Sequence, residues 1–227
     1  MTPRDIWAPG QPGTRRLVLW RHGRTEWNAV GRAQGHANVS LDEVGRAEAV
    51  RAAPFLASYE PTFVWSSDLA RARETAETLT GLLPSVDLVL DPRLRECDVG
   101  MRQGLTFPEF EAKYPEAFAS FMSGVEAGVA GAETTEQVCA RMVAVLSDAA
   151  TAVAVGETGV IVGHGASLRT GLLTFLGVPE ALGEILAGMA NCAWAVLELR
   201  GGHGWQVIDY NAQTLPEPVV LADDPHG

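Results

Sequence analysis

The chain has 227 residues, a formal net charge of −11, 47% hydrophobic residues and 20% charged residues. That length and balance fit one globular domain able to bury a full core, and they exclude a collagen-like or low-complexity chain. The negative charge argues against non-specific nucleic-acid binding, although a local Arg cluster can still hold a small anion in a cleft.

Lys113 is the only Lys, so the basic groups are almost all Arg, whose planar fork suits phosphate. Cys97, Cys139 and Cys192 are an odd set without metal-ligand spacing. They predict a reducing, cytoplasmic setting, no disulfide framework and no metal. No apolar run approaches the roughly 18 residues needed to span a bilayer, so no membrane partner is expected. Residues 1–14 are rich in Pro and Gly and read as a flexible lead-in.

In chain order, residues 15–20 predict a buried strand that runs into Arg21-His22-Gly23. Residues 40–58 predict a helix opened by a Ser40–Glu43 capping box, with Pro54 kinking or ending it. A strand at 62–66 follows, then a helix over 69–82 capped by Ser67-Asp68, then a strand at 86–90. Residues 107–114 and 115–122 read as short helices, followed by a Gly-rich turn. Thr134 and Gln137 open a helix reaching about 155, and residues 159–162 form a buried strand ending at Gly163-His164-Gly165. A helix over 167–176 and a hairpin of 193–199 with 205–210 complete the set.

This alternation predicts an α/β fold: a three-layer α/β/α sandwich with a mostly parallel sheet and one antiparallel edge element. Residues 15–213 form the single domain, residues 103–131 a small helical cap or lid insertion, and 214–227 a C-terminal tail. The hairpin leaves an edge that a second copy could cover, so a homodimer is one expectation.

Two strands each run straight into a His-Gly pair, at 22–23 and 164–165. In a parallel sheet both lie at carboxyl ends of strands, where ligands bind. Gly lets backbone N–H groups approach an anion. Arg71 falls in the first turn of a helix, where N–H groups already favour anions. Leu94-Arg95-Glu96 brings a carboxyl group to the same edge.

Four ordered motifs now stand together: Arg21-His22-Gly23 with Asn28 six residues after the His, Ser67-x-Leu69-x-Arg71-Ala72-x-x-Thr75-Ala76, Leu94-Arg95-Glu96-x-x-x-Gly100, and His164-Gly165. The set resembles the histidine phosphatase (phosphoglycerate-mutase-like) superfamily. The resemblance implies a phosphomonoester hydrolase that needs no cofactor. It makes His22 the nucleophile that carries the phosphoryl group. Arg21, Arg71 and His164 would surround the phosphate oxygens, and Glu96 would protonate the leaving oxygen and then activate water. Asn28, Gln34, Thr25, Gly165 and Arg102 are the expected substrate contacts. The physics agrees, because phosphoryl transfer asks mainly for positioning and charge, and an imidazole splits one displacement into two.

Several readings stay open. Mutases of the superfamily resemble Glu-Arg-His-Tyr-Gly after the acid, whereas this chain has Cys97-Asp98-Val99-Gly100, which favours the phosphatase branch. Arg102 stands where phosphatases have Trp, and could meet a carboxylate or sugar acid. Residues 188–194 and 209–212 resemble glucosyl-3-phosphoglycerate phosphatases. The alternatives are a broad sugar or nucleotide phosphatase, a mutase, a non-catalytic binding member, and a hydrolase using His22 and His164 as metal ligands. Arg24 could line the pocket or face solvent. Arg169 is expected to pair locally on its helix. His36, His203 and His226 read as solvated.

Overall fold

Period-two burial along the first strand sets the layers. In the computed structural model, which describes residues 13–124 and 129–214, β1 (Arg15–Arg21) is buried on both faces. Val18 and Trp20 point into one core with α2 (Glu43–Ala57) and α3 (Ala70–Thr80). Leu17 and Leu19 point into the other, against α6 (Thr135–Ala152) and α7 (Gly165–Phe175). The fold is therefore the three-layer α/β/α sandwich.

One six-stranded sheet has the order β3-β2-β4-β1-β5-β6, with β2 Phe63–Ser66, β3 Leu88–Leu90, β4 Thr158–Gly163, β5 Trp194–Arg200 and β6 Gly204–Ala212. β1 to β4 are mutually parallel, and β5 runs antiparallel to β1 with β6 paired antiparallel outside it. The hairpin forms that edge of the sheet. β4 enters late in the chain between β1 and β2, which makes their shared carboxyl edge a switch point. The short helix α1 (Glu26–Ala29) follows β1, and between β3 and α6 lie two further short helices, α4 (Phe107–Lys113) and α5 (Pro115–Met122).

Local caps explain where the helices begin. Thr134 and Gln137 form the expected capping box of α6. For α2 the cap is Asp42, not Ser40: its Oδ1 accepts from the Gly45 amide at 2.7 Å, while Oδ2 holds Arg24 at 2.8 Å. A carboxylate already locked by a guanidinium outcompetes a hydroxyl two residues outside the helix. Pro54 sits within the last turn of α2, where the helix runs on to Ala57. For α3, Asp68 is not the cap, because Arg95 takes its carboxylate at 2.7 Å. Asn38 reaches over instead and accepts from the Ala70 amide at 2.8 Å. The third strand shrinks from 86–90 to Leu88–Leu90. The tail, His226 and all but Gly13 and Thr14 of the lead-in lie outside the described residues. Among the described residues no helix is long and apolar enough to cross a membrane.

Candidate active site

Three strand ends meet at one edge of the sheet. His22 follows β1, His164 follows β4, and Ser67 follows β2. Arg21 lies in register with Gly163, and the His22 amide donates to the Gly163 carbonyl at 3.0 Å. The two His-Gly pairs are thus side by side, with ring centroids 5.0 Å apart. Gly23 lets this turn press on α2, since a Cβ there would sit 2.5 Å from the Gly45 carbonyl oxygen. A cavity of about 590 Å³ opens over the edge, walled by His22, Arg21, Arg71, Glu96, Gln34 and Arg102 among others.

His22 is 2% exposed, and its Nδ1 lies 2.6 Å from the Gly23 carbonyl oxygen. A carbonyl only accepts, so Nδ1 carries the proton and Nε2 keeps the lone pair. Burial, then the charges of Arg71 and Arg21, hold this imidazole well below its ordinary range. At neutral pH His22 is therefore uncharged, with a fixed tautomer and a bare Nε2 of the kind a nitrogen nucleophile needs.

Arg71 rises from the first turn of α3 and is fully buried. Its Nη1 donates to the Ala37 carbonyl and its Nη2 to the Gly35 carbonyl, both at 2.8 Å. Its Nε donates to His164 Nδ1 at 3.1 Å. Burial lowers its pKa to about 10, which leaves it charged at neutral pH. Gly35 has φ +50°, and a Cβ there would meet Val99 at 2.7 Å, so only Gly turns that carbonyl toward Arg71.

His164 differs from expectation. It is fully buried and is not part of the cavity wall. Because Arg71 Nε–H can only donate, His164 Nδ1 is the bare nitrogen, and Nε2 donates to Ser67 Oγ at 2.9 Å. Both ring nitrogens are engaged, so His164 orients Arg71 from behind. Burial first, then Arg71, pushes its pKa well down.

Arg21 donates through Nη1 to the Met189 carbonyl, and its Nε is buried without a hydrogen-bond partner. Gly165 makes room for it: a Cβ at 165 would lie 3.2 Å from that Nε. Gly165 thus serves Arg21 and borders a smaller adjoining cavity, not the main one. Glu96 presents its carboxylate to the N-terminus of α7, where Oε1 accepts from Ser167 at 2.8 Å and Oε2 from Ala166 at 3.2 Å.

The remaining expected contacts divide. Asn28 lines the cavity, but its Oδ1 is taken by the Thr25 amide at 3.1 Å, which leaves its amide nitrogen as the end that can meet an anion. Thr25 is fully buried, caps α1, and does not reach the cavity. Its hydroxyl is consumed by Asn28, at 3.0 Å from Oδ1 and 3.1 Å from the amide. Gln34 lines the cavity, and its Oε1 is buried without a partner. Arg102 lines it as well. Arg24 turns away to Asp42, and Arg169, expected to pair on its own helix, reaches beyond α7 to Glu184 at 3.3 Å and to the Leu186 carbonyl at 2.6 Å.

Three residues have parts in the site that the sequence did not show. Asn191 joins the loops by donating to the His22 carbonyl at 3.2 Å and to Asn28 Oδ1 at 3.3 Å. Arg141, from α6, donates to the Arg93, Arg95 and Glu96 carbonyls at 2.8, 2.6 and 3.0 Å. His36, expected in solvent, is half-buried and donates from Nε2 to the Glu96 carbonyl at 2.8 Å. Of the three, Asn191 lies inside the 188–194 segment already marked out in the sequence. Among the described residues no group of three or more His, Cys, Asp or Glu side chains is arranged to hold a metal ion.

The histidine phosphatase superfamily (branch 1) pattern matches residues 17–213. A glucosyl-3-phosphoglycerate phosphatase of Mycobacterium tuberculosis is 36% identical over 224 residues, covering 91% of this chain and 99% of its own. A metal-independent phosphoserine phosphatase of Arabidopsis thaliana is 36% identical over 178 residues, covering 77% and 74%. A mycobacterial glucosyl-3-phosphoglycerate phosphatase solved with VO3 superposes with a TM-score of 0.77 at 33% identity, covering 88% of this chain and 100% of that one. The chain belongs to the histidine phosphatase superfamily and is a phosphoric monoester hydrolase of that type.

Proposed function

We propose that this phosphatase works through a phosphohistidine on His22 and that glucosyl-3-phosphoglycerate is its substrate. Nε2 of His22 attacks phosphorus as the ester P–O bond breaks, and Glu96 gives its proton to the departing alkoxide. Water then attacks phosphorus, Glu96 takes the water's proton, the N–P bond breaks, and inorganic phosphate leaves. Arg21, Arg71 and the Asn28 amide nitrogen hold the phosphate oxygens, supplying the charge that a metal would otherwise provide. His164, Thr25 and Gly165 act through those groups as positioning residues.

The observation that carries this reading is the Gly23 carbonyl on His22 Nδ1, which leaves Nε2 unprotonated in the wall of the cavity. The substrate assignment rests on the mycobacterial relatives and on a cavity whose cations, Arg21, Arg32, Arg71 and Arg102, suit an acidic ester. Lys113 is not among the cavity residues, which supports a phosphatase over a mutase holding two phosphates.

A phosphate-release screen in excess EDTA tests it. Glucosyl-3-phosphoglycerate should give the highest kcat/KM against 3-phosphoglycerate, sugar phosphates and nucleotides, without loss to the chelator. A nucleotide or simple sugar phosphate at the top of the ranking would favour the broad-specificity reading. Loss of turnover in EDTA would overturn the metal-free mechanism.

A further inference from the structure

Arg102 is the cation of the cavity that the chemistry above does not use. Its neighbours are already committed. Arg32 holds Glu109 through paired contacts at 2.8 and 3.1 Å, and Glu133 holds Arg141 at 2.8 Å. Asp98 caps the Gly100 amide at 2.9 Å. Arg102 has no carboxylate partner among the described residues, and its Nε is buried without a hydrogen bond. Burial pulls its pKa below the ordinary value. A partly desolvated guanidinium with an open edge is a poor structural element and a good anion receptor.

Its plane is also held. The guanidinium carbon sits 4.5 Å from the Phe121 ring centre and 5.7 Å from that of Phe107. Two aromatic rings therefore flank the cation without using its N–H donors. The base is rigid. Gly100 has φ +51°, and a Cβ there would meet the Ala130 carbonyl oxygen at 2.3 Å. The Met101 amide donates to that same carbonyl at 2.9 Å, and Val99 bridges Ala132.

We infer that Arg102 is a carboxylate subsite for the alcohol side of the ester, so that the preferred substrates are phosphomonoesters of hydroxy acids. One guanidinium fork matches one carboxylate, whereas a second phosphate calls for more charge than a single free cation supplies. This inference rests on the phosphatase reading and deepens it by naming the residue that selects for the acid.

The test compares kcat/KM for 3-phosphoglycerate with that for glycerol 3-phosphate, which replaces the carboxylate by a hydroxymethyl group. The wild-type enzyme should favour the acid, and Arg102→Met should lower that ratio by roughly 10-fold to 100-fold, the size of one charge-assisted hydrogen-bonding group. Most of the change should appear in KM, because the carboxylate is remote from the breaking bond. Arg102→Lys, which keeps the charge and loses the fork, should retain part of the ratio and serves if the Met variant misfolds. A wild-type ratio near one, or a ratio unmoved in both variants, overturns the subsite. An Arg102-dependent preference for 1,3-propanediol bisphosphate over the acid overturns the carboxylate assignment. Turnover of p-nitrophenyl phosphate separates the two claims. If it depends on His22 while the ratio fails, only the subsite falls; if His22→Ala leaves it intact, the phosphohistidine reading falls first.

Discussion

Two buried imidazoles a ring's width apart have different duties because their nitrogens have different partners. Gly23 fixes the tautomer of His22, and Arg71 fixes that of His164. Both are held neutral by burial and nearby guanidinium charge. In the unfolded chain each titrates near about 6.5. Below that value the unfolded chain binds protons that the native state refuses. Stability is therefore full above about pH 6.5 and is lost as pH falls below it, at up to about 1.4 kcal/mol per pH unit for each imidazole. Urea unfolding at pH 7.5, 6.0 and 5.0 should show this slope, and His22→Gln should reduce it; equal slopes in both proteins would refute the assignment. The residues that the cavity gathers were legible where their motifs fall at strand and helix ends, as those of Arg21, His22 and Arg71 do. Arg141 and His36 were not. They grip backbone carbonyls, and a carbonyl leaves no mark in a sequence.

At the level of elements, α6 and α7 together hold Glu96, the acid of the proposed mechanism. Arg141 on α6 ties down the carbonyls of Arg93, Arg95 and Glu96, and Glu133 holds Arg141 in place. The first-turn amides of α7 receive the carboxylate. Arg141→Ala should therefore impair protonation of the leaving group. Phosphoenzyme formation from an alkyl phosphate should slow about 10-fold more than from p-nitrophenyl phosphate, whose leaving group needs no proton. Arg141→Lys should recover part of the difference. Equal slowing of both substrates would make Arg141 merely structural. Helix boundaries were legible where a cap is local, as at Thr134 and Gln137. They shifted where a distant residue intervened. Arg95 drew Asp68 away from α3, and Asn38 replaced it.

Across the whole molecule, two hydrophobic cores flank the sheet and the cavity opens at the carboxyl edge of its parallel strands. The layers follow from alternation along β1, and the sequence showed that much. It did not show Glu198 of β5, fully buried between Arg16 at 2.8 Å and Arg200 at 2.9 Å, because a charge inside a strand ordinarily reads as the solvent face. Glu198→Ala leaves those guanidinium groups without their shared carboxylate and should cost about 3–5 kcal/mol. Denaturant unfolding measures it, with turnover at 20 °C retained in the folded fraction; a loss below about 1 kcal/mol would mean that solvent already screens the site. The cavity opens where β1, β4 and β2 end, and the proposed mechanism centres on His22 in its wall. Acid-free quenching during turnover, followed by tandem mass spectrometry, tests that centre most directly. The phosphoryl group should be found on His22, stable in base and lost in acid, and absent from His22→Ala. Turnover with no phosphohistidine, or with the label on another residue, would contradict the mechanism.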